Sequence, residues 1–207
     1  ASTYEPGQVA TGSVWDAIAC GLLLLAPARR RDILLLGLGG GSAARIARAL
    51  APEARIVGVE LRADVVDAAR AHLDLDELGL EVRIGDAREV VREFQGEFDA
   101  VLEDVFVGRG RAAYKPEGYP FPALADAKRA LRSGGLLATN TLDEAAAIKT
   151  AMKGLFPSTL EISLADFDNR IYGGRRAPID ARALRQRVAA DPFLQASLDQ
   201  LRFRSVG

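Results

Sequence analysis

One glycine-rich turn and three carboxylates, each closing a short apolar run, are the residues of this sequence best suited to chemistry. The turn reads Gly37-Leu38-Gly39-Gly40-Gly41-Ser42 and follows Ile33, Leu34, Leu35 and Leu36. Its glycines lack side chains where the backbone must turn sharply, so a ligand can approach the main chain closely. Ser42 is placed to cap a helix that runs until Pro52. Glu60 ends the next β-rich run about twenty residues on, where a carboxylate can accept both hydroxyl hydrogens of a ribose; taken alone, such a residue is more often a solvated loop acid. Asp86 follows a third run and is placed either to accept from an adenine amino group or to cap the helix after it. Asp104 follows the fourth, as a reacting carboxylate or as a strand-end cap.

These groups meet only if the runs before them are neighbouring strands. The run from Ile33 to Leu36 suits a strand buried on both faces of a parallel sheet. ARIVGVEL, LEVRI, FDAVL and LLATNTL read as strands two to five, with helices in RADVVDAARAHL, in AREVVREF and from about Pro122 to Arg132, the last closed by Ser133-Gly134-Gly135 in a left-handed turn. The helix DEAAAIKTAMKGLF precedes TLEISLA and NRIYGG, which pair as an antiparallel hairpin. The pattern predicts an α/β, doubly wound, Rossmann-like, mostly parallel seven-stranded sheet with an antiparallel terminal hairpin. In such folds ligands bind outside the carboxyl ends of the strands, where the turn and all three acids fall. A single domain is expected: a helical cover over residues 1–30, an α/β core over 31–174, and helices over 175–207 capped by Asp180 and Asp191, with no further strand. Residues 106–122 show no period and read as a long functional loop.

The 27 basic and 28 acidic residues nearly cancel, so no global field draws nucleic acid or an anionic membrane, and neither is expected as a partner. The single cysteine, Cys20, lies among apolar residues as a small buried hydrophobe, and the composition fits a reducing, cytoplasmic setting. AIACGLLLLA is too short to span a bilayer and its arginines follow it, so residues 13–25 are expected to form a helix covering the sheet. The opening lacks a methionine, as a trimmed chain would.

Position 42 is serine where a nicotinamide-binding turn wants glycine or alanine, and no phosphate-binding loop with Gly-Lys-Ser or Gly-Lys-Thr is present. Glycines at 37, 39 and 41, acids ending strands two and three, and a terminal hairpin resemble the class I S-adenosylmethionine-dependent methyltransferase fold. LLLGLGGGSAARIARAL, ARIVGVELRADVVDAARAHL, VRIGDAREVV and FDAVLEDVF together resemble its spermidine-synthase-like branch, over residues 33 to 174. The resemblance implies that Gly37, Gly39, Gly40 and Gly41, with Ser42, hold the methionine-derived part of the cofactor. It further implies Glu60 and Leu61 at the ribose, Asp86 and Ala87 at the adenine, and Asp104 at the reacting amine.

The departures from that branch matter. Aminopropyltransferases carry an acid inside the glycine turn, matched here by Gly40, and an Asp-Ser-X-Asp motif, matched here by Asp104-Val105-Phe106-Val107. Their tyrosine-histidine-glutamate motif is also missing, and the only histidine, His72, reads as a surface or packing residue. The expectation is therefore S-adenosylmethionine-dependent methyl transfer to an amine or other small nucleophile, free or on a protein. Aminopropyl transfer from decarboxylated S-adenosylmethionine and a non-catalytic nucleotide-binding module are the alternatives. No metal is expected, and a homodimer is compatible with the sequence. Tyr114 and Tyr119 are candidates for the acceptor entrance. Lys115, Arg109 and Arg111 either favour an anionic acceptor or solvate a mobile loop. Trp15 is expected in the core, with Gln8 and Trp15 closing over the cofactor as the alternative.

Overall fold

The computed structural model describes residues 2–108 and 110–206; Arg109 and the side chain of Arg111 lie outside the described residues. The sheet begins with β1 (Asp32–Leu36), β2 (Arg55–Glu60), β3 (Glu81–Ile84), β4 (Phe98–Glu103) and β5 (Leu131–Thr141), all parallel. It continues with β6 (Ser158–Leu164), β7 (Arg170–Arg175) and β8 (Leu201–Val206), each antiparallel to its neighbours, in the spatial order β3-β2-β1-β4-β5-β7-β6-β8.

Alternation along β1 explains why an unbroken apolar run was needed. Ile33 and Leu35 enter one core, while Leu34 and Leu36 enter the other. The first core lies under α1 (Val14–Ala19), α2 (Ser42–Leu50), α3 (Ala63–His72) and α7 (Ala181–Ala190). The second lies under α4 (Ala87–Val90), α5 (Ala123–Ala130) and α6 (Ala145–Leu155). The strand order reverses between β1 and β4, which opens a crevice at their carboxyl ends.

The sheet has eight strands, not seven. Leu201 and Phe203 turn inward and alternate with exposed Arg202 and Arg204, so this last segment pairs with β6 and no helix closes the described chain. Asp180 caps α7 through the N–H groups of Arg182 and Ala183, as expected. Asp191 accepts from Phe193 and Leu194, but only a short 3-10 turn, Gln195–Ser197, follows it. The expected cover over residues 1–30 is helical at α1, at the 3-10 turn Cys20–Leu24 and at Pro27–Arg29, whereas residues 2–12 run without helix. Helix α5 ends at Ala130. The left-handed turn at Gly134 sits inside β5, between the pairing of Phe98 with Leu131 and that of Ala100 with Leu136. Cys20 is buried and its burial pushes the thiol up; His72 is exposed. Among the described residues, no helix is long and apolar enough to cross a membrane.

Candidate functional site

The crevice brings the turn and the acids together in the sheet's own order. At Gly37 the backbone adopts φ +85°, and a Cβ there would lie 2.5 Å from the carbonyl oxygen of Asp104, so only glycine lets the two loops touch. Gly41, at φ +88°, occupies the N-cap position of α2. Ser42 is therefore the first helical residue and not the cap: its hydroxyl donates to the carbonyl of Thr3 and accepts from the Thr3 N–H, both at 2.9 Å. Glu60 reaches back to the turn and accepts from the Gly39 N–H at 2.8 Å, while its other oxygen accepts from the Arg62 N–H at 3.2 Å. Leu61 beside it is 59% exposed.

Asp86 realises the capping alternative. It accepts from the Arg88 N–H at 2.9 Å and is clasped by the Arg88 guanidinium at 2.5 Å, which holds its carboxyl below the usual range. Ala87 is buried against the second core. Ser2 lies over the turn and accepts from the Gly40 N–H at 2.7 Å. Tyr4 donates to Asp74 and stacks under the Arg45 guanidinium, 4.4 Å from the ring centre.

Asp104 stands at the reversal point with unlike neighbours. One oxygen accepts from the Asn140 amide at 2.8 Å and the other from the Trp15 indole N–H at 3.2 Å. Trp15 thus packs against the first core, as expected, and also reaches the site. Removal from water pushes the Asp104 carboxyl up to about 6; Asn140, the Lys115 charge and Trp15 oppose that shift, and Glu103 adds to it.

Glu103, one residue earlier, points to the opposite face and is fully buried. Both its oxygens accept from the Lys115 ammonium, at 2.7 and 2.8 Å, and it also accepts from Thr139 and from the Val105 N–H. Lys115 lies over the rings of Phe106, at 4.3 Å, and Tyr119, at 4.8 Å. The expectation of a solvated or acceptor-facing lysine is overturned: the loop doubles back because an ammonium is needed to neutralise a carboxylate inside the protein. Neither residue alone signals this pair in the sequence.

Tyr119 is part-buried, and burial together with Glu103 raises its phenol well above the usual value. Tyr114 is 57% exposed and forms a single β-bridge with Val107. The loop is thus anchored at Lys115 and also at Glu117, whose carbonyl accepts from Arg88 at 2.8 Å, while Tyr114 sits on its outer turn. Gln8 is exposed and lines a groove with Val9 and Phe193.

Residues 33–135 match the family model described as a methyltransferase domain. The chain superposes on human methyltransferase-like protein 13 in complex with SAH with a TM-score of 0.71 at 21% identity, covering 91% of this chain and 93% of that one. A probable spermidine synthase from Corynebacterium glutamicum gives a TM-score of 0.71 at 20% identity, over 92% of this chain and 72% of that one. The chain has the class I S-adenosylmethionine-dependent methyltransferase fold, which spermidine synthases share. Curated relatives include the polyamine aminopropyltransferase of Chromobacterium violaceum, 37% identical over 113 residues, which are 53% of this chain and 42% of that protein. The polyamine aminopropyltransferase of Neisseria meningitidis serogroup A is 32% identical over 122 residues, 58% of this chain and 45% of that protein. The chain thus spans less than half the length of these curated relatives.

Proposed function

We propose that this methyltransferase-fold chain transfers a methyl group from S-adenosylmethionine to an amine or comparable small nucleophile. The observation that carries the choice of methyl over aminopropyl is the state of position 40. The turn offers no carboxylate there to pair with the amine of decarboxylated S-adenosylmethionine, and a Cβ at Gly40 would meet Leu73 Cδ1 at 2.5 Å and Ser2 Cβ at 2.7 Å. Val107, in place of the second acid of the aminopropyltransferase pattern, is engaged through its backbone with Tyr114. The names of the curated relatives favour aminopropyl transfer, which is the second reading.

In this reading Gly37, Gly39, Gly40, Gly41 and Ser42 line the methionine end, Glu60 and Leu61 the ribose, and Asp86 and Ala87 the adenine. The glycines of the turn carry no side chains of their own, and a ligand there would displace Ser2 from the Gly40 N–H. S-adenosylmethionine supplies an activated methyl on sulfonium sulfur, which needs little acid-base help, so the protein's task is alignment. Asp104 would hold the acceptor nitrogen and take its proton, leaving the nitrogen lone pair to bond to the methyl carbon as the carbon–sulfur bond breaks and its electrons stay on the sulfur of the departing S-adenosylhomocysteine. A carboxyl near 6 is ionised at neutral pH and close enough to it to exchange a proton. Tyr114 and Tyr119 stand on the acceptor side.

Calorimetry with S-adenosylmethionine and its decarboxylated form separates the two transfers: tighter binding of the carboxylated form is expected, and markedly tighter binding of the decarboxylated form reverses the order. Labelled-methyl transfer into a cell extract should yield a product lost in Asp104→Ala. No labelled product, with S-adenosylmethionine bound more tightly than its decarboxylated form, points to a binding module instead.

A further inference from the structure

The partners of Asp104 have partners of their own. Asn140, in the carboxyl-terminal half of β5, is only 2% exposed, and the amide that donates to Asp104 presents its oxygen to the Asn169 amide, which donates at 3.0 Å. Asn169 immediately precedes β7, the strand that pairs with β5 and places Ile171 opposite Asn140. A primary amide has one donating and one accepting end, so its orientation is settled only when both ends are engaged. An ionised Asp104 can only accept, and Asn169 supplies the donor that holds the Asn140 oxygen turned away from it. Trp15, whose indole can only donate, completes the clamp from α1. Lys115, the cation nearest in charge effect, is already taken by both oxygens of Glu103.

We propose that Asn169 and Asn140 form a two-amide relay that fixes the Asp104 carboxylate against Trp15, making these three positioning residues for the acceptor-side acid. The relay draws on β4, β5, the approach to β7 and α1, which lie far apart in sequence, and it uses only neutral donors. Each oxygen of Asp104 is thereby oriented without being neutralised, and the carboxylate stays available to a cationic amine entering the crevice. The assignment rests on the reading of Asp104 given above, but its geometry is testable without a methyl donor or an acceptor.

Trp15 is the only tryptophan, so its indole N–H gives a single, site-specific resonance in a ¹H–¹⁵N spectrum of the whole chain. Followed from pH 4.5 to 8, that resonance should show one step near the Asp104 value, about 6, which Asp104→Asn abolishes. Loss of a donor to the charged form should move the midpoint upward by about half a unit or more in Asn140→Ala, and by less in Asn169→Ala. Asn169→Ser, which keeps a donor, should fall back toward the parent. Glu103 and Lys115, the charged groups acting on Asp104, stay in place throughout. If Asn140→Ala does not fold, the part-buried hairpin residue Asn169 carries the test alone. A midpoint unmoved in Asn169→Ala, or an indole blind to Asp104, overturns the relay. Failure of methyl transfer with these shifts intact counts against the proposed activity only.

Discussion

Strand β4 carries Asp99 near its amino end and is followed at once by Asp104, and the two live differently. Asp99, at the amino end, is buried and accepts from the N–H groups of Arg31 and Asp32 at 3.0 and 3.3 Å, with Arg132 at 3.4 Å and Arg29 at 3.7 Å. Arg132 also meets Asp32 at 2.5 Å, and Arg55 ties that corner to Glu81 at 2.9 Å. Asp104, at the carboxyl end, has an indole and an amide and no salt bridge of its own among the described residues. The amino edge of the sheet uses its acids to hold strands together; the carboxyl edge holds one in position and leaves its charge uncompensated. The same residue type thus does structural duty at one end and is kept available at the other.

The exception at the carboxyl end offers the harshest test. Lys115→Met strands a buried Glu103 carboxylate, and a loss of about 3–5 kcal/mol in denaturant-derived stability is expected. The double variant Glu103→Leu/Lys115→Met should recover much of it, since two apolar residues leave no charge inside. Recovery that fails would mean the pair is needed for more than neutralisation.

Asp99 and Asp104 sharpen the contrast directly. Asp99→Asn removes the charge from several hydrogen bonds and should cost about 1.5–3 kcal/mol of stability, with cofactor affinity retained in calorimetry. Asp104 works in the other direction. Its folded value, about 6, lies above the unfolded one, so the stability it contributes is full below about pH 4 and is lost as pH rises through 6. The stability of the parent relative to Asp104→Asn should therefore fall by on the order of 2 kcal/mol between pH 4 and pH 7.5, a figure reduced for the surface Asp104 keeps. A flat difference across that range would place Asp104 among the structural acids.

A comparable effect, on binding instead of stability, is expected at Glu60. Glu60→Ala should weaken S-adenosylhomocysteine binding by about 1.5–3 kcal/mol in a binding isotherm while the melting curve barely moves. Unchanged affinity in a folded variant would make Glu60 a brace for the Gly39 N–H and nothing more. Tyr114→Ala should be the mildest, within about 0.5 kcal/mol of the parent in stability because the ring is exposed, with any effect confined to acceptor turnover.

What could be read in advance follows the range of each signal. Leu34 and Leu36 facing one core and Ile33 and Leu35 the other needed only local alternation, and the order of turn and acids needed only the strand-helix rhythm. The eighth strand carried the same signal, Leu201 and Phe203 alternating with arginines, but one isolated alternation after two helix caps did not announce a partner forty residues back. Trp15 looks like core because it is core on one side; its bond to Asp104 spans 89 positions and leaves no local trace. Lys115 sits in a segment rich in glycine, proline and arginine, where a lysine suggests solvent, and only the fold reveals that Glu103 awaits it on the buried face of β4. Asn140 and Asn169 are ordinary polar residues until the antiparallel pairing of β5 with β7 sets them side by side.

The late-added strand also bears on how this molecule behaves in company. An open sheet ends in rows of unpaired N–H and C=O groups that invite another chain to pair with them. Here β8 forms one outer edge and presents Arg202 and Arg204, both exposed, and β3 forms the other and presents Glu81 and Arg83, both exposed. A second copy sliding edge to edge along β8 would meet the Arg202 guanidinium, whereas Arg204 is already paired with Glu161 at 2.9 Å. By taking the open side of β6, whose Ile162 and Leu160 are buried, this segment replaces an apolar margin with a charged one, which discourages extension of the sheet.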